Sequence, residues 1–258
     1  MQAREILGFC DVHGLALGSH EGFRVGSPDV EVTGILVTWL PCRAAIAAAS
    51  AAGCNLLIAR DQFNFPPDYS GALIDHHLSD RVTLPRLRAI LAANITVFRG
   101  HSSLDPLLHA ALAAKLELPA PQIAPGGDPM RPLYPIEPVP VLSLAQRAWE
   151  RLDRGAMRVC GDMTRRVRRV GLLHGNLACA HNPDGLLPLL ERGADVILAG
   201  ELDEYPMRGA TDLGIPVIEL GHAASLAPGL RHLADLLRSL FPGLCVEYFE
   251  PVRPWQAV

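Results

Sequence analysis

The strongest constraint on this chain is the alternation of short, wholly apolar runs with runs of helical period. Residues 32–40 (VTGILVTWL) and 55–59 (NLLIA) are strand-like, and between them residues 42–52 form an Ala-rich helix closed by Gly53. Apolar runs without polar alternation suit strands covered on both faces, as in parallel sheets. A loop rich in Phe, Pro, Asp and His follows over 61–81; then 84–93 reads as helix, 95–99 as strand and 105–115 as helix. Parallel strands need crossover connections, so this order predicts an α/β fold with parallel or mixed sheets.

Residues 119–140 hold eight of the 22 prolines, together with Gly126 and Gly127. Such a stretch reads as a linker. The expected organisation is therefore an N-terminal α/β lobe over 1–118, a Pro/Gly-rich linker over 119–142 and a C-terminal α/β lobe over 143–258. In the second lobe a helix is predicted over 143–154 with Ser143 as its N-cap. Strands follow at 156–160, 167–173, 196–199, 216–220 and 244–248, and helices at 184–193, 204–213 and 226–241.

Composition excludes several classes. With 258 residues, 49% apolar and 19% charged, the chain can bury a sizeable core and is not disordered. A formal charge of −4 gives no electrostatic reason to expect nucleic acid or an anionic membrane as partner. The most apolar stretch, 36–59, is interrupted by Pro41, Arg43, Ser50, Gly53 and Asn55, so no membrane span is expected. The opening residues carry no signal-peptide pattern, and a cytoplasmic protein is expected. Six cysteines without a C-x-x-C pair are expected to be small buried hydrophobes rather than a disulfide framework or a zinc knuckle.

Four polar clusters follow predicted strands, where α/β proteins build their sites. They are Arg60-Asp61-Gln62, GHSSLDP with His101 and Asp105, AGELDE with Glu201, Asp203 and Glu204, and ELGHAAS with Glu219 and His222. Each has a plainer explanation. Asp105 before Pro106 is an ordinary helix start, and Glu201, Asp203 and Glu204 complement a helix dipole. His101 and His222 can each be satisfied by a nearby carbonyl. The pair His76-His77 is read as solvated loop, and His13 and His174 are given no ligand role.

Taken in order, the clusters resemble the Nif-three-like family of dinuclear-metal-centre proteins, also called GTP cyclohydrolase I type 2 homologues. GLALG at 14–18, HSSLD at 101–105, RRVGLLHGN, GADVILAGELDEY, GIPVIELGHAAS and ASLAPGLRHLADLL carry the likeness over almost the whole chain. The resemblance implies two linked α/β lobes with mixed sheets, two metal ions at their interface, and a ring-shaped homo-oligomer, commonly a hexamer. It assigns ligands to a His-His-Pro motif, to the Asp of a His-Thr-x-Leu-Asp motif and to a Gly-His-x-x-x-Glu motif.

Carried over by position, Asp105 and His222 match. The His-His-Pro motif falls on Arg60, Asp61 and Gln62, and the last Glu falls on Leu226. Arg60 has no lone pair and carries fixed positive charge, so it repels a cation there. Its expected role is an ion pair with Asp105 or Asp61 in place of a metal, and the expected state is without a dinuclear centre. Either no metal is bound, or one divalent ion (zinc, manganese or iron) is held by Asp61, Asp105 and His222 with His101 nearby. Asp61, Asp105 and His222 are expected to converge on one pocket.

Two functions stay open. One is a binding protein that takes a small anionic ligand or a protein partner through Arg60, with Glu219 at the same cleft. The other is a mononuclear, metal-dependent, GTP cyclohydrolase-like hydrolase with Asp61 or Glu201 as base.

Overall fold

The computed structural model describes residues 1–8, 17–18, 20–65, 67, 73–123, 128–152, 157–250 and 252–256. The chain divides into two compact units, Met1–Pro106 with Leu230–Pro254, and Leu107–Gly229 with Trp255–Val258. The C-terminal segment thus returns to the first unit. It does so because the last strand pairs with the first sheet.

The first unit contains α1 (Ala3–Leu7), β1 (Gly22–Val25), β2 (Gly34–Thr38), α2 (Arg43–Ala51), β3 (Leu56–Ala59), α3 (Ile74–His77), α4 (Thr83–Ala92), β4 (Thr96–Arg99) and β10 (Cys245–Phe249). Its sheet runs β1-β4-β3-β2-β10, with β10, β2, β3 and β4 parallel and β1 antiparallel at one edge. Every residue of β2, β3 and β4 is buried, as the apolar runs require. Leu36, Leu57, Ala59 and Val97 on one face pack with Ile46 and Ala49 of α2 and Ile90 of α4. Gly53 closes α2 with φ +69°, the left-handed geometry of a helix C′ position. At Gly26, with φ +84°, a Cβ would lie 2.9 Å from the Thr96 backbone, so only glycine lets the chain leave β1.

The second unit contains β5 (Leu133–Pro140), α6 (Val141–Leu152), β6 (Arg158–Cys160), β7 (Arg166–Leu173), α7 (Pro183–Glu191), β8 (Val196–Ala199), α8 (Glu204–Asp212) and β9 (Val217–Glu219). Helices α5 (Asp105–Lys115) and α9 (His222–Leu240) belong partly to each unit by sequence. The sheet order is β5-β7-β8-β9-β6, with β7, β8 and β9 parallel and antiparallel strands at both edges. Alternation splits its core in two. Val196, Leu198 and Ile218 meet α6 through Val141, Leu144 and Ala148. Ile197, Ala199 and Val217 meet Leu186 and Leu189 of α7 and Ala210 of α8. The mixed α/β architecture expected from the sequence is present in both units.

Three expectations need correction. The Pro-rich stretch contains β5, whose Pro135, Pro138 and Pro140 are tolerated because the strand lies at an edge and its register shifts between Pro135 and Val139. The last helix begins at His222 rather than 226, with Pro228 inside it, so a proline that reads as an early helix position conceals the first turn. Only Cys54 and Cys179 are buried among the described cysteines; Cys42 and Cys160 are half-buried, Cys245 is exposed, and Cys10 lies outside the described residues. Among the described residues no helix is long and apolar enough to cross a membrane.

Candidate functional site

In the first unit, three consecutive parallel strands deliver polar residues at their C-terminal ends. Trp39 follows β2, Arg60 and Asp61 follow β3, and His101 follows β4. The backbone holds them in register beyond the strands: Arg60 N donates to Thr38 O at 3.3 Å, Asp61 N to Trp39 O at 2.8 Å and Gly100 N to Ala59 O at 3.0 Å.

Arg60 is the centre of the cluster. Its side chain is 1% exposed, against 17% for Asp61 and 14% for Asp105. Nη2 donates to Asp105 Oδ1 at 3.1 Å and Nε approaches the same oxygen at 3.4 Å. Nη1 donates to Asp61 Oδ1 at 3.2 Å. The ion pair expected for Arg60 is therefore present, and with both carboxylates. Asp61 also accepts from the Trp39 indole N–H, and its Oδ1 lies 3.5 Å from His101 Nε2. Burial, followed by the charge of Arg60, pushes the His101 imidazole down to about 4 despite Asp61 and Asp105 nearby. His101 is thus neutral at pH 7, and Arg60 supplies the cation that both aspartates face.

Sequence reasoning missed Glu21, Trp39 and Arg99. Glu21 accepts from the backbone of Gly18, His101 and Ser103, and from the Ser103 hydroxyl at 2.9 Å. Burial raises its pKa, but these hydrogen bonds outweigh that and hold it below the usual carboxylate range. The carboxylate fixes the turn that carries His101 into α5. Arg99 is buried and donates to His20 O at 2.8 Å. The available signal was position: Trp39 leaves its strand as Arg60 and His101 leave theirs.

In the second unit the ends of β8 and β9 form another cluster. His222 Nδ1 lies 2.8 Å from Glu201 Oε2, and the hydrogen bond from His222 holds the Glu201 carboxyl below its usual range against partial burial. Glu219 is engaged by the Arg158 guanidinium and accepts from Leu202 N at 3.3 Å. Asp203 caps α8 by accepting from Tyr205 N, as its helix-start reading requires. Ser225, buried, accepts from Gly175 N at 2.9 Å and donates to His222 O at 2.7 Å, fixing the first turn of α9. Leu226 is fully buried in the core.

The structure therefore brings Arg60, Asp61, His101 and Asp105 together in one unit, and Glu201, Glu219 and His222 in the other. His174 is buried beside His109, whose Nε2 lies 2.9 Å from the Tyr134 hydroxyl. His13 and most of the GLALG segment lie outside the described residues.

His76 and His77 form part of α3 rather than a solvated loop. His77 is buried, with Nδ1 3.6 Å from Asp80 Oδ2, because Asp80 folds back to cap α4. Asp80 Oδ1 accepts from Val82 N and Thr83 N at 2.6 Å each. Burial opposes ionisation, yet the Thr83 and Val82 hydrogen bonds and His77 bring its pKa down to about 2. A lowered folded pKa means the unfolded chain binds the proton more readily. The contribution is whole above pH ~4 and disappears as pH falls toward 2. Asp80→Ala is expected to flatten the acid limb of a stability–pH curve in that window; an unchanged limb contradicts the cap.

Two five-stranded mixed sheets with charged clusters at the ends of parallel strands define a two-sheet α/β class. The model of Duf34/NIF3 (NGG1p interacting factor 3) matches residues 4–251, and the chain belongs to that family. The GTP cyclohydrolase 1 type 2 homolog of Lactococcus lactis is 24% identical over 255 residues, covering 96% of this chain and 94% of that protein. A Bacillus cereus protein related to NIF3 superposes with TM-score 0.81 at 14% identity, covering 100% of this chain and 99% of its own. Reduced HcgD from Methanocaldococcus jannaschii gives 0.73 at 20% identity, covering 96% of each chain. These structural likenesses show the fold.

The dinuclear metal centre implied by the resemblance does not fit this donor set. Among the described residues no group of three or more His, Cys, Asp or Glu side chains is placed to hold a metal ion. The guanidinium of Arg60 engages the two aspartates a cation would need, and Leu226 offers no donor atom.

Proposed function

We propose that this chain is a ligand-binding member of the Duf34/NIF3 family that takes a small anionic ligand at the cluster around Arg60, without metal chemistry. One observation carries the reading: a guanidinium 1% exposed pairs with both Asp61 and Asp105. Fixed positive charge stands where the resemblance places a metal ligand, and it offsets one of the two carboxylate charges. Arg99 adds a second buried guanidinium at the end of the neighbouring strand. Ligands of open α/β sheets bind at such strand ends, and guanidinium groups select phosphates and carboxylates through paired N–H donors. The name of the Lactococcus lactis relative points to GTP, whose phosphates belong to that class.

The test is thermal unfolding in EDTA with inorganic phosphate or GTP, for the wild type and Arg60→Gln. Ligand at a hundred times its Kd is expected to add about 2.7 kcal/mol to the wild type and nothing to the variant. No shift with either anion up to about 10 mM, a range in which millimolar sites register, overturns the reading.

One observation favours the hydrolase alternative. Glu201 pairs with His222 Nδ1 at 2.8 Å, the contact by which a carboxylate orients a histidine that binds a metal or moves a proton. On that reading a single ion would lower the pKa of a bound water, with Glu201 or Asp61 as base.

A further inference from the structure

At the opposite, N-terminal ends of β2 and β10 lies a pair of thiols that the reading above does not use. Cys245 opens β10 and stands in register with Gly34, which opens β2. Registered partners on neighbouring parallel strands present their side chains on the same face, about 4.8 Å apart. Gly34 has no side chain, and Cys54 fills the space. A Cβ at position 34 would lie 3.1 Å from Cys54 Sγ and 3.3 Å from the Cys245 carbonyl oxygen. The two cysteines therefore approach one another over Gly34.

We infer that Cys54 and Cys245 form a reversible, peroxide-driven disulfide that ties the returning C-terminal segment to the body of the first unit. The pair divides the chemistry by exposure. Cys245 is exposed, with its thiol 3.9 Å from Glu247 Oε1, whereas Cys54 is buried. Burial, with Cys245 and Glu247 nearby, pushes the Cys54 thiol up to about 12, so it is not the group that meets the oxidant. Hydrogen peroxide transfers one oxygen atom to the Cys245 sulfur, giving a sulfenic acid and one water. The Cys54 sulfur then attacks the Cys245 sulfur; the S–S bond forms, the S–OH bond breaks, and hydroxide leaves with the Cys54 thiol proton as a second water. Both thiols are oxidised by two electrons in total, and peroxide is reduced to water.

The consequence is specific to this chain path. The first unit is built from two chain segments, Met1–Pro106 and Leu230–Pro254, and β10 supplies an edge of its sheet. A bond from Cys54 to Cys245 closes a loop of most of the chain and pins that edge strand.

The experiment treats the full-length protein with hydrogen peroxide, alkylates it in denaturant and maps the peptides. Free thiols are expected to fall from six to four. A linked peptide pair containing Cys54 and Cys245 appears, and the unfolding midpoint rises by roughly 5–10 °C until dithiothreitol reverses it. Cys245→Ser, at an exposed position, keeps the fold and loses both changes; Cys54→Ser loses the linked peptide. Cys245 oxidised to sulfinic acid with Cys54 still alkylated overturns the inference. So does a linked pair that survives in Cys245→Ser.

Discussion

Arg60→Ala is expected to unfold about 3 kcal/mol more readily than the wild type, a fall of roughly 10 °C in the midpoint. The substitution leaves Asp61 and Asp105, each less than one-fifth exposed, without the guanidinium that serves them both. Removing one partner of a buried pair costs more than the pair contributes, because the remaining charge keeps its desolvation penalty. Two carboxylates that lose their shared cation also repel one another. Added zinc or manganese is expected to restore part of the loss in the variant, since the Asp61 and Asp105 carboxylates are left without their cation, and to leave the wild type unchanged. Arg60→Lys keeps a charge but not the fork that reaches both aspartates, and should fall between the two. A variant as stable as the wild type, with and without metal, contradicts the role given to Arg60.

The second large effect is at Gly200, between β8 and Glu201. A Cβ there would lie 2.4 Å from Gly175 O, 2.6 Å from Gly175 N and 2.6 Å from Ser225 Oγ. The backbone cannot retreat cheaply. Gly200 N donates to Leu173 O at 2.7 Å, Glu201 N to Gly175 O at 2.7 Å and Gly221 N to Gly200 O at 2.6 Å. Gly200→Ala must break part of this crossing and move Glu201 away from His222, at a cost of about 3 kcal/mol. The expected readouts are a midpoint lower by roughly 10 °C and loss of the pH response of any activity that depends on the Glu201–His222 pair. A shift of less than about 2 °C would show that the crossing is not tight.

Much of the fold was legible because its parallel strands are covered on both faces. VILA at β8 and LLIA at β3 announce themselves as uninterrupted apolar runs, and α5 is bounded by Asp105-Pro106 at its start. Two of the three antiparallel edge strands were not legible. Half-exposed β1 and proline-bearing β5 lack a continuous apolar signal, and their pairing depends on neighbours distant in sequence. The returning strand β10 looked like part of the second lobe, since nothing local reveals which sheet a strand joins.

The candidate site divides the same way. Arg60 was readable through the family resemblance, because a guanidinium at a position the resemblance gives to a metal ligand demands a carboxylate, and Asp61 and Asp105 were the nearest in the pattern. Glu21 was not readable, because its value lies in four donors that converge from Gly18, His101 and Ser103. Cys245 misled for a related reason: its exposure follows from an edge position that sequence does not show.

An arginine–carboxylate ion pair in place of a metal centre has a direct consequence for metal content. Elemental analysis of the wild-type protein, purified without chelator and without added metal, tests it most directly. The expected result is well below one equivalent of zinc, manganese or iron per chain, beside a full stability that EDTA does not lower. Two tightly held equivalents per chain, with stability lost on chelation, would contradict it.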